Sequence, residues 1–276
     1  MRIHRQFAAL NEGDIHYRHA GLADGVRPLL MLHPSPASSR ALLPVMATIA
    51  SERPVIAPDT LGNGDSCPPS IESPDLGYYA DSMLRLMDTL GIEEFDVYGS
   101  HTGSHVGIEI ALQAGHRLKS LTMHGVALMD ADEQEAFLAN YAPIKAPDDI
   151  GGHLNWAWHF IRDQMIFYPH FRKDAAHIRA GGNLSANYLH ELTVDVLKNI
   201  RHYHKTYHAV FRHAVLTRLA AVSQPIALLA HVDEPLNYAV EPIRKACTSV
   251  EVLTLADESP AVVAKTVNRF IASNTA

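Results

Sequence analysis

Short apolar runs alternate with helically spaced ones through the first half of the chain. Residues 29–32 read LLML, a run too continuous for a half-exposed strand, and predict a strand buried on both faces. Residues 54–57, 95–98 and 118–125 repeat that signal, and 15–18 predicts a short strand ahead of them. Between these strands, residues 41–50 and 76–90 space their apolar side chains three and four apart, and Gly91 ends the second helix. Pro44 is tolerated only near the first turn of the first helix. Residues 104–114 predict a further helix. Buried strands alternating with helices imply a mostly parallel sheet covered on both faces, with right-handed crossovers.

Over 130–221 the rhythm changes. This stretch is rich in Trp, His, Tyr and Phe, and helices are predicted at 132–140, 155–164, 189–200 and 207–222. The earlier alternation then resumes, with strands at 225–230 and 250–255 and helices at 239–247 and 260–272. The expected organisation is a core of 1–129 plus 222–276, interrupted after a core strand by a helical cap of 130–221.

Composition narrows the classes. A chain of 276 residues, 47% hydrophobic and 19% charged, can bury a large core and is not disordered. Its net charge of −7 argues against nucleic acid or an anionic membrane as partner. Cys67 and Cys247 are too few for a disulfide framework or a cysteine metal site. With no secretory signal and no long apolar span, a cytoplasmic location is expected. Of the 18 histidines, His204 and His208 stand four apart without the rest of a helical metal signature, so no metal is expected. GSHTGS lacks the lysine of a phosphate loop and no dinucleotide fingerprint follows the first strands, so no cofactor is expected either.

The most informative segment is FDVYGSHTGSHVGIEIALQAG, residues 95–115. A buried strand meets a helix through a turn bounded by Gly99 and Gly103, which pushes His101 to the tip beside the helix start. With HPSPASS at 33–39, PDTLGNGDS at 58–66, the helical insertion and two late strands, the whole chain resembles the α/β-hydrolase superfamily. The resemblance is greatest to the small cap-bearing branch of esterases, C–C hydrolases, haloalkane dehalogenases and cofactor-free dioxygenases. It implies a nucleophile at position 101, an acid at Asp233 or Glu234, or alternatively at Asp130, and a histidine in the last loop. This chain departs twice: position 101 is histidine, and none follows His231.

These residues point to His101 as a general acid or base, oriented by Asp130, Asp233 or Glu234. The adjoining helix N-terminus is expected to keep its imidazole neutral. Ser100 as a shifted nucleophile is disfavoured, because neighbours on a sharp turn diverge; Ser100 and Thr102 are expected to serve the turn. The resemblance implies oxyanion donors at the Ser35 and Thr102 N–H groups, with Ser35 or Ser38 adding a hydroxyl, since Pro34 has no N–H. Ser38 or Ser39 is alternatively a helix cap, and His33 packs beneath the loop or faces the substrate. In the insertion, Trp158, His159, Arg162 and Tyr168 are candidate substrate contacts, with Arg162 facing a substrate carboxylate or pairing with Asp163.

The expected activity is hydrolysis of an activated ester, lactone or C–C bond. The alternatives are a cofactor-free lyase, decarboxylase or oxygenase, and a non-catalytic binding or scaffold protein. The expected partner is a small, partly apolar and carboxylate-bearing molecule, with a homodimer left open.

Overall fold

The computed structural model describes residues 1–21, 26–179 and 181–274. Eight strands form one sheet: β1 (His4–Leu10), β2 (Gly13–Ala20), β3 (Leu29–Leu32), β4 (Val55–Pro58), β5 (Phe95–Ser100), β6 (Leu118–His124), β7 (Ile226–Ala230) and β8 (Val250–Thr254). Their spatial order is β1-β2-β4-β3-β5-β6-β7-β8. The six strands from β3 onward are parallel, and the β1–β2 hairpin adds an antiparallel edge through β2 and β4. All four residues of β3 are buried, and their alternation serves two cores. Leu30 and Leu32 join one apolar cluster, Leu29 and Met31 the other. This is why a central parallel strand reads as an unbroken apolar run. β1 escaped that reading because four of its first residues are exposed; pairing with β2 defines it, not an apolar face.

The helices are α1 (Leu43–Ile49), α2 (Leu76–Thr89), α3 (Thr102–Ala114), α4 (Ala131–Asn140), α5 (Gly152–Ile166), α6 (Ala186–Lys198), α7 (Tyr203–Phe211), α8 (Val215–Leu219), α9 (Val240–Ala246) and α10 (Pro260–Ser273). On one face of the sheet α1 and α10 pack over Met31 and Leu229; on the other, α2 and α3 pack over Leu30 and Val97. The helix expected from residue 41 begins two residues later, after a 3-10 turn (Ser39–Leu42) capped by Ser38, which leaves Pro44 in its first turn. Asp75 caps α2 by accepting the Tyr78 N–H at 2.8 Å.

Helices α4 to α8 occupy the interval between β6 and β7. The interval is less uniformly helical than expected. The helix expected at 207–222 is two helices, α7 and α8, separated at 212–214, where His213 turns toward the core to meet α3. Residues 167–179 and 181–185 are mostly irregular. Pro169 cannot continue α5, and an antiparallel bridge joins Phe167 to Ile178. No helix among the described residues is long and apolar enough to cross a membrane.

Candidate active site

The turn between β5 and α3 is built around contacts that exclude side chains. A Cβ on Gly99 would lie 2.3 Å from the Gly103 carbonyl oxygen, and one on Gly103 would lie 2.2 Å from that of Leu32. His101, between them, has φ 49° and ψ −109°, and is the non-glycine residue with positive φ among those described. Such a backbone costs on the order of 1–3 kcal/mol and persists only where its surroundings enforce it. Here the His101 N–H donates to the His124 carbonyl at 2.8 Å, and the His101 carbonyl accepts from Ser104 N–H at 2.9 Å.

The His101 ring lines a cavity of about 310 Å³. Its Nε2 is 2.9 Å from Glu234 Oε1, which also accepts the Leu236 N–H at 3.1 Å. Gly125 backs the pair closely: a Cβ there would fall 2.8 Å from the His101 ring. Burial disfavours the imidazolium, but the charge and hydrogen bond of Glu234 outweigh it and raise the His101 pKa above its ordinary value. Burial likewise opposes ionisation of Glu234, yet His101 prevails and holds its carboxyl at about 2. The expectation that the helix N-terminus keeps His101 neutral is therefore corrected: the carboxylate facing the ring dominates its titration. With Nε2 donating to Glu234, Nδ1 is the basic atom. It lies 3.3 Å from Ser100 Oγ, so these neighbours converge instead of diverging.

The other carboxylates proposed for this role lie elsewhere. Asp130 is exposed and caps α4, accepting the Glu133 N–H at 2.9 Å while Glu133 bonds back in a capping box. Asp233 is exposed at the same turn as Glu234, with His231 Nδ1 3.9 Å away. A second pair stands behind the first. His124 places Nδ1 3.0 Å from the Tyr98 hydroxyl and Nε2 3.3 Å from Glu258 Oε1, in the loop after β8.

The loop expected to supply oxyanion donors is arranged differently. Ser35 N–H donates to Thr102 Oγ1 at 3.2 Å, its hydroxyl to Thr206 at 2.9 Å, and its carbonyl accepts from Tyr207. Ser35 lines the cavity with its donors already engaged. Ser38 is buried away from the cavity lining, capping the 3-10 turn and donating to Asp195 at 3.0 Å. Ser39, the other candidate cap, gives its N–H to Asp59. Thr102 lines the cavity; its N–H, at the first position of α3, has no intrahelical acceptor. Its hydroxyl, accepting from Ser35, keeps its own proton to donate.

Of the insertion candidates, Tyr168 lines the cavity. Trp158 packs against the core, and His159 Nδ1 bonds the Asn155 carbonyl at 2.9 Å. Arg162 binds Asp163 through two nitrogens at 2.9 and 2.7 Å, so it is an ion-pair residue and does not face the cavity. His33 is buried under its loop, between the Pro34 carbonyl and the Thr60 N–H, with its pKa lowered by burial. Residues not anticipated from the sequence are Arg179, which lines the cavity, His105 one turn beyond His101, and the His124–Glu258 pair. Arg179 gave only the signal of a basic residue two positions before a glycine pair.

Among the described residues, two groups of side chains could hold a cation by proximity. His16, Asp59 and Asp65 are already committed, Asp59 to His16 and two backbone N–H groups, Asp65 to Arg5 and Lys198. His124, Glu234 and Glu258 are the other group, their donor atoms within 4.8 Å of one another. Each of these three already has a hydrogen-bonded partner at a donor atom.

A family model described as alpha/beta hydrolase fold matches residues 27–146. An uncharacterised hydrolase of Saccharomyces cerevisiae is 35% identical over 112 residues, 40% of this chain and 38% of that protein. A 2-hydroxymuconate semialdehyde hydrolase of Pseudomonas sp. is 32% identical over 103 residues, 36% of each chain. The matches thus span under two fifths of the length of these relatives. A solved hydrolase structure from Pseudomonas aeruginosa superposes with a TM-score of 0.72 at 20% identity, covering 97% of this chain and 98% of that one.

Proposed function

We propose that this chain, which has the alpha/beta hydrolase fold, is a hydrolase of small, partly apolar molecules that uses His101 where its relatives' fold usually presents a nucleophile. The observation that carries this reading is the His101–Glu234 pair at the cavity, set on a strained turn that fixes the ring. Glu234 anchors Nε2–H, which leaves Nδ1 to take a proton from water. The resulting hydroxide oxygen bonds to the carbonyl carbon of an ester, lactone or activated ketone, and the carbonyl electron pair moves onto oxygen. Thr102 N–H and hydroxyl stabilise that oxyanion. As the tetrahedral intermediate collapses, the carbonyl re-forms, the bond to the leaving group breaks, and the leaving atom takes the proton from Nδ1. Helices α4 to α8 serve as a cap of about residues 130–221, whose apolar side chains roof the cavity and exclude bulk water, leaving room for the reacting one.

Hydrolase relatives support an enzyme of this class. The test is turnover of a panel of aryl esters and lactones by His101→Ala, with folding checked by circular dichroism. A loss of about a thousandfold is expected from removing the base; unchanged turnover removes His101 from the mechanism. A second reading, with Ser100 as nucleophile, is favoured by the 3.3 Å contact between Ser100 Oγ and Nδ1. Ser100 is not among the cavity-lining residues, so it ranks second. Labelling of Ser100 by a fluorophosphonate would reverse the order.

A further inference from the structure

The cavity wall carries a guanidinium that the fold leaves largely unused. Arg179 directly follows the Phe167–Ile178 bridge, and its N–H donates to the Ile166 carbonyl at 2.8 Å, so its backbone is fixed at the end of α5. Its Nη1 donates to the Gln164 carbonyl. Its Nε is buried with no partner, and Nη2 has none among the described residues. No described carboxylate pairs with it, in contrast to Arg162, which is held by Asp163. A buried donor left without an acceptor costs on the order of 1–3 kcal/mol, a cost that a bound ligand oxygen removes. Because Nη1 is the tethered nitrogen, the free edge is the one formed by Nε and Nη2. Those two parallel donors match the two oxygens of a carboxylate.

The rest of the wall is mostly apolar. Phe137, Ile161, Met165, Leu192 and Val210 line the same cavity as Arg179 and His101. The charge of Arg179 also reaches His101, where it disfavours the imidazolium.

We propose that the Nε–Nη2 edge of Arg179 is the subsite for a carboxylate on the substrate. The substrate class is then a small amphipathic acid whose carboxylate is held at Arg179, whose carbon chain lies along the apolar wall, and whose reacting carbonyl reaches His101. This rests on the reading of His101 as the base, and it makes Arg179 the residue that selects acids over their neutral analogues.

The test uses hexanoate and hexanamide, equal in chain length and differing in charge, titrated calorimetrically into the full chain at pH 8. The wild-type protein should bind hexanoate at least about tenfold more tightly. Arg179→Gln should abolish that preference while leaving hexanamide affinity within about twofold, with an unchanged circular dichroism spectrum; Arg179→Lys should restore part of it. His101→Ala should retain the preference even where it abolishes turnover, which separates failure of the subsite from failure of the base. Equal binding of the two ligands to wild type, no binding of either at millimolar concentration, or a preference that survives Arg179→Gln overturns the proposal. A preference lost in His101→Ala and kept in Arg179→Gln overturns it too, by moving the anion site to the imidazole.

Discussion

His101 and His105 stand one helical turn apart at the start of α3, and both rings line the same cavity. Their titrations move in opposite directions. The His101 ring faces Glu234, and its pKa is raised. The His105 ring faces His213, Nδ1 to Nδ1 at 2.9 Å, and burial together with that second imidazole puts its pKa well below the ordinary value. The hydrogen bonds fix the tautomers. His105 Nε2 accepts the Ala127 N–H at 3.1 Å, so Nδ1 carries the proton and donates it to His213. His213 in turn donates from Nε2 to Glu109 at 2.9 Å, and Arg218 completes the chain at Glu109. Every polar atom of the His105 ring is therefore engaged within the protein. His101 retains one basic nitrogen whose internal contact, Ser100, is long at 3.3 Å. Two identical side chains at the start of one helix thus differ in titration because one faces a carboxylate and the other a network with no spare acceptor.

The largest effect that would sharpen this contrast comes from removing the carboxylate. Glu234→Gln keeps the shape and an acceptor for Nε2–H but deletes the charge. Turnover should fall by about a hundredfold, or ~2.7 kcal/mol in the barrier. The pH profile carries the more specific signature. A base works when neutral, so wild-type kcat/KM should rise with pH through a midpoint above 6.5, the direction in which Glu234 shifts His101. In Glu234→Gln, burial is opposed only by the charge of Glu258, and the midpoint should move to lower pH. An unmoved midpoint would mean that another group titrates in the profile.

Much of this arrangement could be read from residue types, and the reasons for the exceptions are physical. The central strands were visible because both their faces are buried, and the turn at Gly99–Gly103 because backbone contacts there admit only glycine. Position 234 was one of several acids placed near the end of β7 by the resemblance; choosing it over Asp233 required knowing which side chain points inward, and adjacent residues in a turn are not separated by periodicity. Asp130 looked like a candidate because it follows β6, but the same position begins a helix, and its carboxylate caps that helix. Arg179 was missed for a different reason. Its proposed role rests on what it lacks among the described residues, an acid partner and an acceptor for Nε, and a missing contact has no sequence pattern. The His105–His213 contact joins α3 to a residue 108 positions later, across an insertion whose path no local pattern specifies.

The next effect in size concerns stability, and it tests the buried member of the pair. His105 is neutral in the folded protein across the range in which an unfolded histidine takes up a proton. Below about pH 6.5 the unfolded chain therefore binds a proton that the folded one excludes, and stability should fall as pH falls. One such group contributes a slope of up to about 1.4 kcal/mol per pH unit. Glu109, held at about 2 because His213 and Arg218 outweigh its burial, adds nothing until the pH drops below about 4.5. Denaturant unfolding between pH 7 and 5 should thus be less steep in His105→Asn than in wild type. His101, shifted the other way, acts in the opposite sense: its contribution is fully present below pH 6.5 and is lost as pH rises through its raised pKa. Equal slopes in wild type and His105→Asn would place the acid sensitivity elsewhere.

The smallest expected effect separates two arginines within the insertion. Arg162 is half-exposed and spends its guanidinium on Asp163, which Lys173 also contacts at 2.5 Å. Partly exposed pairs of this kind contribute no more than about 1 kcal/mol, and here Lys173 remains to neutralise the buried Asp163 when Arg162 is gone. Arg162→Gln should therefore change stability by less than that amount, and turnover by less than about twofold. Since Arg162 is absent from the cavity wall, hexanoate affinity should not respond either. A selective loss of hexanoate binding in Arg162→Gln would mean that the helix α5 guanidinium reaches the ligand after all. The division between a pairing arginine and a binding arginine would then have to be redrawn with Arg162 on the cavity side.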